Sequence, residues 1–236
     1  MKMRKNIFLF MLFLGVVFFS CKKDHPVVSS PDFGYNYFPN DVGRYIICQV
    51  DSISYDDPLS RPPDTTRYLL KELIAATFFD NSGRPTLRIE RYYKMYHFNT
   101  HSYDSVWSVP RVWSANRTTS TAEKVEENIR YIKLVFPVRQ NKQWNGNVYN
   151  MLGSKEYQIT SADQSETINT VHFDSVATVS QFDEENLVLS QIEKEKFARN
   201  VGLIYKQRDS LVKQGTNFAD TTGYRVTQKI ISYGKQ

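Results

Sequence analysis

Leu87-Arg88-Ile89-Glu90-Arg91-Tyr92-Tyr93-Lys94-Met95-Tyr96-His97 decides the fold class. Leu87, Ile89, Tyr93 and Met95 fall on one face, and Arg88, Glu90 and Lys94 on the other. Period two with one polar face is what an antiparallel strand needs when a single side is buried. The segment returns from Asp80-Asn81-Ser82-Gly83, a strong turn, behind a long strand from Tyr68 to Phe79. Upstream, Arg44–Ser54 reads as the first strand, followed by a loop with Pro58, Pro62 and Pro63. Downstream, strands are predicted at Ser105–Ser114, Asn128–Phe136, Lys155–Ser161, Thr170–Phe182, Val201–Lys213 and Tyr224–Tyr233, with turn material at Gln143–Asn147. Thr121–Glu127 and Gln191–Arg199 have helix-forming composition without an apolar stripe, so each fits helix or strand equally. The expected fold is mainly β: one antiparallel sheet over residues 35–236, curled into a barrel or half-barrel with one or two short helices.

Composition supports a globular domain. Aromatic residues make up 14% of the chain and charged residues 23%, too apolar for a disordered tail. The formal charge of +5 owes three cations to the first twenty residues, which hold no acid. Without that segment the charge is +2, so a nucleic-acid partner has no electrostatic basis.

Those twenty residues form a pattern of their own. Lys2, Arg4 and Lys5 precede an apolar run from Ile7 to Phe19, of the length of a signal-peptide core and short for a membrane span. Ser20 then precedes Cys21, and the segment resembles a bacterial lipoprotein signal. The resemblance implies removal of residues 1–20, acylation of Cys21 (palmitate among its chains), and anchoring in an outer membrane, on its periplasmic or cell-surface side. Residues 21–34, with Pro26 and Pro31, read as a polar tether. With Cys21 acylated, Cys48 lacks a disulfide partner; it alternates with Ile46 and Val50 and reads as a small buried hydrophobe.

Catalytic patterns are missing from the sequence. His25 lies in the tether. His97 and His101 leave a strand, where i/i+4 spacing does not converge on one metal ion. His172, Asp174 and Ser175 are too close in sequence to form a triad on one strand. Glycine-rich phosphate loops, Gly-x-Ser-x-Gly and Cys-x-x-Cys do not occur, and Glu126-Glu127 and Asp183-Glu184-Glu185 read as solvated edges. The expectation is a protein that is not an enzyme, with neither metal nor cofactor.

One triplet recurs beyond chance: Asp, then Ser or Thr, then an aliphatic residue or Thr. It places hydroxyls at Ser52, Thr65, Ser105, Ser175, Ser210 and Thr221. It resembles the acceptor motif of the O-glycosylation system of Bacteroidetes envelope proteins, which would add bulky, solubilising sugars at these positions. Asp-Ser/Thr pairs also mark strand ends and Asx turns.

Three segments resemble a family of small, uncharacterised Bacteroidetes lipoproteins: Tyr37-Phe38-Pro39-Asn40-Asp41-Val42-Gly43-Arg44-Tyr45, the central Trp144-Asn145-Gly146-Asn147, and Glu195 to Lys206 with its Val201-Gly202-Leu203. In the last, Asn200 stands at a frequent glycine and tolerates positive φ. Lys22-Lys23-Asp24 resembles the charged tract that sends some such lipoproteins to the cell surface. More distantly, a lipid-anchored half-barrel is similar to the LolA/LolB type of carrier, which shuttles lipoproteins or lipids. The family resemblance implies fold and location alone. The expected function is a non-enzymatic envelope component that binds another envelope protein or a glycan; the alternative, which the carrier resemblance implies, is a carrier with a hydrophobic ligand in a half-barrel cavity.

Overall fold

The computed structural model describes residues 31–55, 63–213 and 221–236. Met1–Pro31 separates from the compact unit Asp32–Gln236. The signal segment, Cys21, His25 and the tether as far as residue 30 lie outside the described residues. The tether's last residues belong to the folded unit instead: Val138 N–H donates to Phe33 O at 3.0 Å, and Gly34 N–H to Asp32 Oδ1 at 2.8 Å.

A 3-10 turn at Tyr35–Tyr37 precedes thirteen strands among the described residues. They are β1 Arg44–Tyr55, β2 Asp64–Phe79, β3 Pro85–His97, β4 Ser102–Tyr103, β5 Arg111–Arg117, β6 Thr121–Glu126 and β7 Ile129–Val135, then β8 Gln143–Asn145, β9 Glu156–Ile168, β10 Val171–Glu185, β11 Leu189–Ala198, β12 Gly202–Lys213 and β13 Thr221–Lys235. The two segments of helix-forming composition are β6 and β11, because sheet neighbours on both sides override local propensity. Of the one or two short helices expected, the described residues contain the 3-10 turn Tyr35–Tyr37 and no α-helix. The strand expected from Ser105 begins only at Arg111, since Pro110 has no N–H to give to a ladder. Gln143–Asn145, read as turn, is a short strand that pairs with Glu156–Gln158.

All pairings are antiparallel, and the order is β7-β6-β5-β3-β2-β1-β13-β12-β11-β10-β9-β8, with β4 beside β3. The first and last long strands are thus central neighbours, Arg44 opposite Lys235. The outer members come round to meet. Ile132 N–H donates to Gly146 O at 2.9 Å, and Trp144 Nε1–H to Ile132 O at 3.0 Å. The sheet forms a nearly closed barrel.

Antiparallel alternation gives the barrel two unlike ends. Asp32, the start of β1, the end of β13 and the turns 80–84, 118–120, 136–142 and 199–201 share one end, here the tether end. Loops 98–101, 104–110, 127–128, 146–155 and 186–188 share the other, the far end. At the tether end Asn200 takes φ 62 in the turn before β12, as its side-chain chemistry permits. The largest apolar cluster lies beneath the 3-10 turn and includes Tyr37, Leu134, Phe136, Ile159, Val179 and Phe197. A second surrounds Cys48, Ile204 and Ile230.

Candidate functional site

The barrel interior holds charge. Glu72 on β2 faces Arg91 on β3 across the ladder, with Nε to Oε1 at 2.8 Å. Lys124 on β6 reaches the other oxygen of Glu72 at 2.8 Å. Lys133 on β7 lies 2.6 Å from Glu195 on β11 and 3.4 Å from Glu126 on β6. Lys206, the cross-strand partner of Glu195, is 3.3 Å from both Glu195 and Glu126. Strands β6 and β12 stand far apart in the sheet order, so these contacts cross the lumen. A barrel of this many strands is wider than apolar side chains alone fill, and Lys, Arg and Glu have the reach to bridge it.

The electrostatics follow from the alternation of sign. Burial pushes Glu126 up, but Lys133, Lys206 and Lys124 outweigh it and hold the carboxyl well below the usual range. Burial pushes Lys133 down, but Glu126 and Glu195 outweigh it and hold the ammonium well above the usual lysine range. Glu72 is held down against burial by Lys124 and Arg91, and Lys206 is raised against burial chiefly by Glu126. All four shifts lead away from neutrality, so these groups stay ionised near pH 7. They suit fixed ion pairing, not the proton exchange of a group poised near the working pH. One oxygen of Glu195 finds no hydrogen-bond partner among the described residues.

These charges border a cavity of about 80 Å³, walled by Ile46, Ile74, Leu87, Ile89 and Phe197, with Glu72, Lys124, Glu126 and Lys133 at its polar part. Phe38, Pro39 and Val201 line it toward the tether end. Cys48 is fully buried, and burial pushes its thiol up to about 12. Gln228 Nε2 lies 3.4 Å from its Sγ.

The sequence reading missed this interior. Glu126, read with Glu127 as a solvated edge, turns into the lumen with its side chain 15% exposed, whereas Glu127 takes φ 47 in the exposed turn. A signal was present. Arg91 is in phase with Leu87, Ile89, Tyr93 and Met95, and Glu72 with Tyr68, Leu70 and Ile74. A charge in phase with a buried face points inward.

The other candidates separate. His97 Nε2 pairs with exposed Asp104 at 2.7 Å while His101 occupies a turn at φ 52, and no group of three metal-binding side chains exists among the described residues. His172 faces Asp174 at 3.4 Å, both in solvent. Ser175 points elsewhere, into a cluster beneath the tether: Tyr37 Oη lies 2.7 Å from Ser175 Oγ and 2.8 Å from Asp163 Oδ1, and Arg199 Nε donates to both. Among the acceptor triplets, Thr65 and Ser105 are exposed, the latter in a loop. Ser52 and Ser210 are half-buried in central strands, and the side chain of Thr221 lies outside the described residues. The six hydroxyls do not converge on one site.

Exposed large apolar side chains gather on the far-end loops. Val106 and Val109, Val148, Tyr149, Met151 and Leu152, and Leu187 and Val188 all face solvent, with Met151 fully exposed. Loop 147–152 abuts the β6–β7 turn.

No protein-family model matches the chain, and no curated protein matches it. One solved structure does: a crystal structure from Parabacteroides distasonis ATCC 8503 designated a lipoprotein, 10% identical, covering 87% of this chain and 100% of its own, at a TM-score of 0.38.

Proposed function

We propose that this protein is a lipid-anchored component of the cell envelope, held in the outer membrane through Cys21. It acts without catalysis, binding another envelope protein or a glycan through its far-end rim. The observation that carries this reading is the opposition of the two ends. The chain enters the fold at one end, and eight large apolar side chains stand exposed on loops at the other. Apolar patches of that kind mark interaction surfaces, and placing one opposite the anchor turns it toward a partner. Cargo in the interior draws no support from the geometry. The cavity of about 80 Å³ lies far below the roughly 300 Å³ at which ligand pockets begin, and ion pairs occupy the lumen beside it.

Two experiments test the parts separately. Cys21→Ala should release the protein from the membrane fraction, and retention there would refute the anchor. A photo-crosslinking residue at Met151 or Leu187 in the native envelope should yield a discrete adduct that the same residue at Glu90, on the barrel wall, does not. Equal labelling from all three positions would refute the rim.

A further inference from the structure

The tether end differs from the far end in charge as well as in topology. Arg139 in one turn there and Lys235 at the end of β13 are exposed, and neither makes an ion pair among the described residues; Lys142, in the turn of Arg139, is half-buried and donates its Nζ to Phe136 O at 2.9 Å. The far end instead carries the exposed run Asp183-Glu184-Glu185 at the end of β10. Phe79, 75% exposed, closes β2 at the tether end, and Val42 is exposed before β1. An exposed aromatic side chain at the same end as unpaired cations has the composition of a lipid-interface contact. The chain outside the folded unit ends at the same place. Asp32 and Phe33 are tied into the fold, so the ten residues 22–31 link Cys21 to the tether end, a reach of about 40 Å at full extension.

We propose that the tether end docks on an anionic lipid surface, with Phe79 among the acyl chains and Arg139 and Lys235 against headgroup phosphates. This rests on the anchor at Cys21 and adds an orientation: the barrel stands on the membrane with its far end outward. Each cation strengthens docking about fivefold, and Phe79 about tenfold.

The test uses the full mature chain, reconstituted into vesicles of phosphatidylethanolamine and phosphatidylglycerol whose acyl chains carry bromine. Phe79→Trp and Leu187→Trp report the two ends, with the three native tryptophans subtracted from the unmodified protein. Bromine should quench Trp fluorescence added at position 79 and spare that added at 187. Quenching should fall in Arg139→Glu/Lys235→Glu and in phosphatidylcholine alone. Equal quenching at the two ends of a protein that floats with the vesicles would overturn the docking and leave the anchor standing. A mature chain without an acyl group would overturn the anchor. The same chain mixed with the same vesicles then tests the rim: flotation supports docking, and its absence overturns it.

Discussion

Lys133→Met removes the central cation of the barrel interior while keeping an unbranched stem to fill its space. In the native protein the ammonium lies 2.6 Å from Glu195 and 3.4 Å from Glu126, and its side chain is 5% exposed. Lys206 remains within 3.3 Å of both carboxylates, so the group of four passes from neutral to a single net negative charge. Breaking a buried pair by removing one partner costs about 3–5 kcal/mol, and Lys206, partly open to solvent, sets the expectation near 3. That is a large part of the ~5–15 kcal/mol that holds a domain together. Glu126 has its folded pKa depressed. Its contribution is therefore present above the unfolded value of about 4.3 and lost as pH falls through the lower folded value. Lys133 has its folded pKa raised, so its contribution is complete below about 10.4 and lost as pH rises through the higher folded value. Between about pH 5 and 10 the wild type should show no pH dependence from this pair. The variant depresses Glu126 less, so the gap between the two proteins should hold constant down to about pH 4.3 and narrow only below it. Urea unfolding followed by tryptophan fluorescence measures this, and Lys133→Met/Glu195→Gln should recover at least half of the loss. A loss below about 1 kcal/mol, or no recovery in the double variant, would refute an interior organised by charge pairing.

Three further outcomes are expected. Cys48, with its thiol pushed up to about 12 by burial, should resist iodoacetamide at pH 8 in the folded protein and react once urea unfolds it; labelling of the native protein would place the side chain elsewhere. Gly223 holds φ 114, and a Cβ there would sit 2.0 Å from Ser210 O, so Gly223→Ala should destabilise by about 2 kcal/mol or more in the same urea assay. Glycopeptide mass spectrometry on envelope-derived protein should find any sugar on Ser105 or Thr65. The hydroxyl of Ser175, held among Tyr37, Asp163 and Arg199, should remain bare, and a sugar there would show that modification precedes folding.

The strands were legible because their signals are local. Alternation at Leu87–His97, the Asp80–Gly83 turn and the register between them need only neighbouring residues, and β1, β2, β3, β10 and β12 lie close to where the pattern puts them. Where the reading failed, the deciding interaction lies far away in sequence. Thr121–Glu126 is a strand because β5 and β7 flank it, and Gln143–Asn145 is one because β9 does. Glu126 looked solvated beside Glu127 because nothing near it in sequence shows that Lys133 and Lys206 stand on the other side of a lumen.

From sequence alone follow the strand content, the antiparallel sheet and the expectation of a lipid-anchored chain, since periodicity, turn chemistry and a cleavage pattern each reside in a few consecutive residues. Only the tertiary structure decides that the sheet curls until β7 meets β8, that charges in phase with the apolar face fill the lumen, and that the chain enters opposite the apolar loops. Closure depends on twist summed over the whole sheet. Pairing of a buried charge depends on which distant strand faces it, and no short stretch of chain carries either quantity.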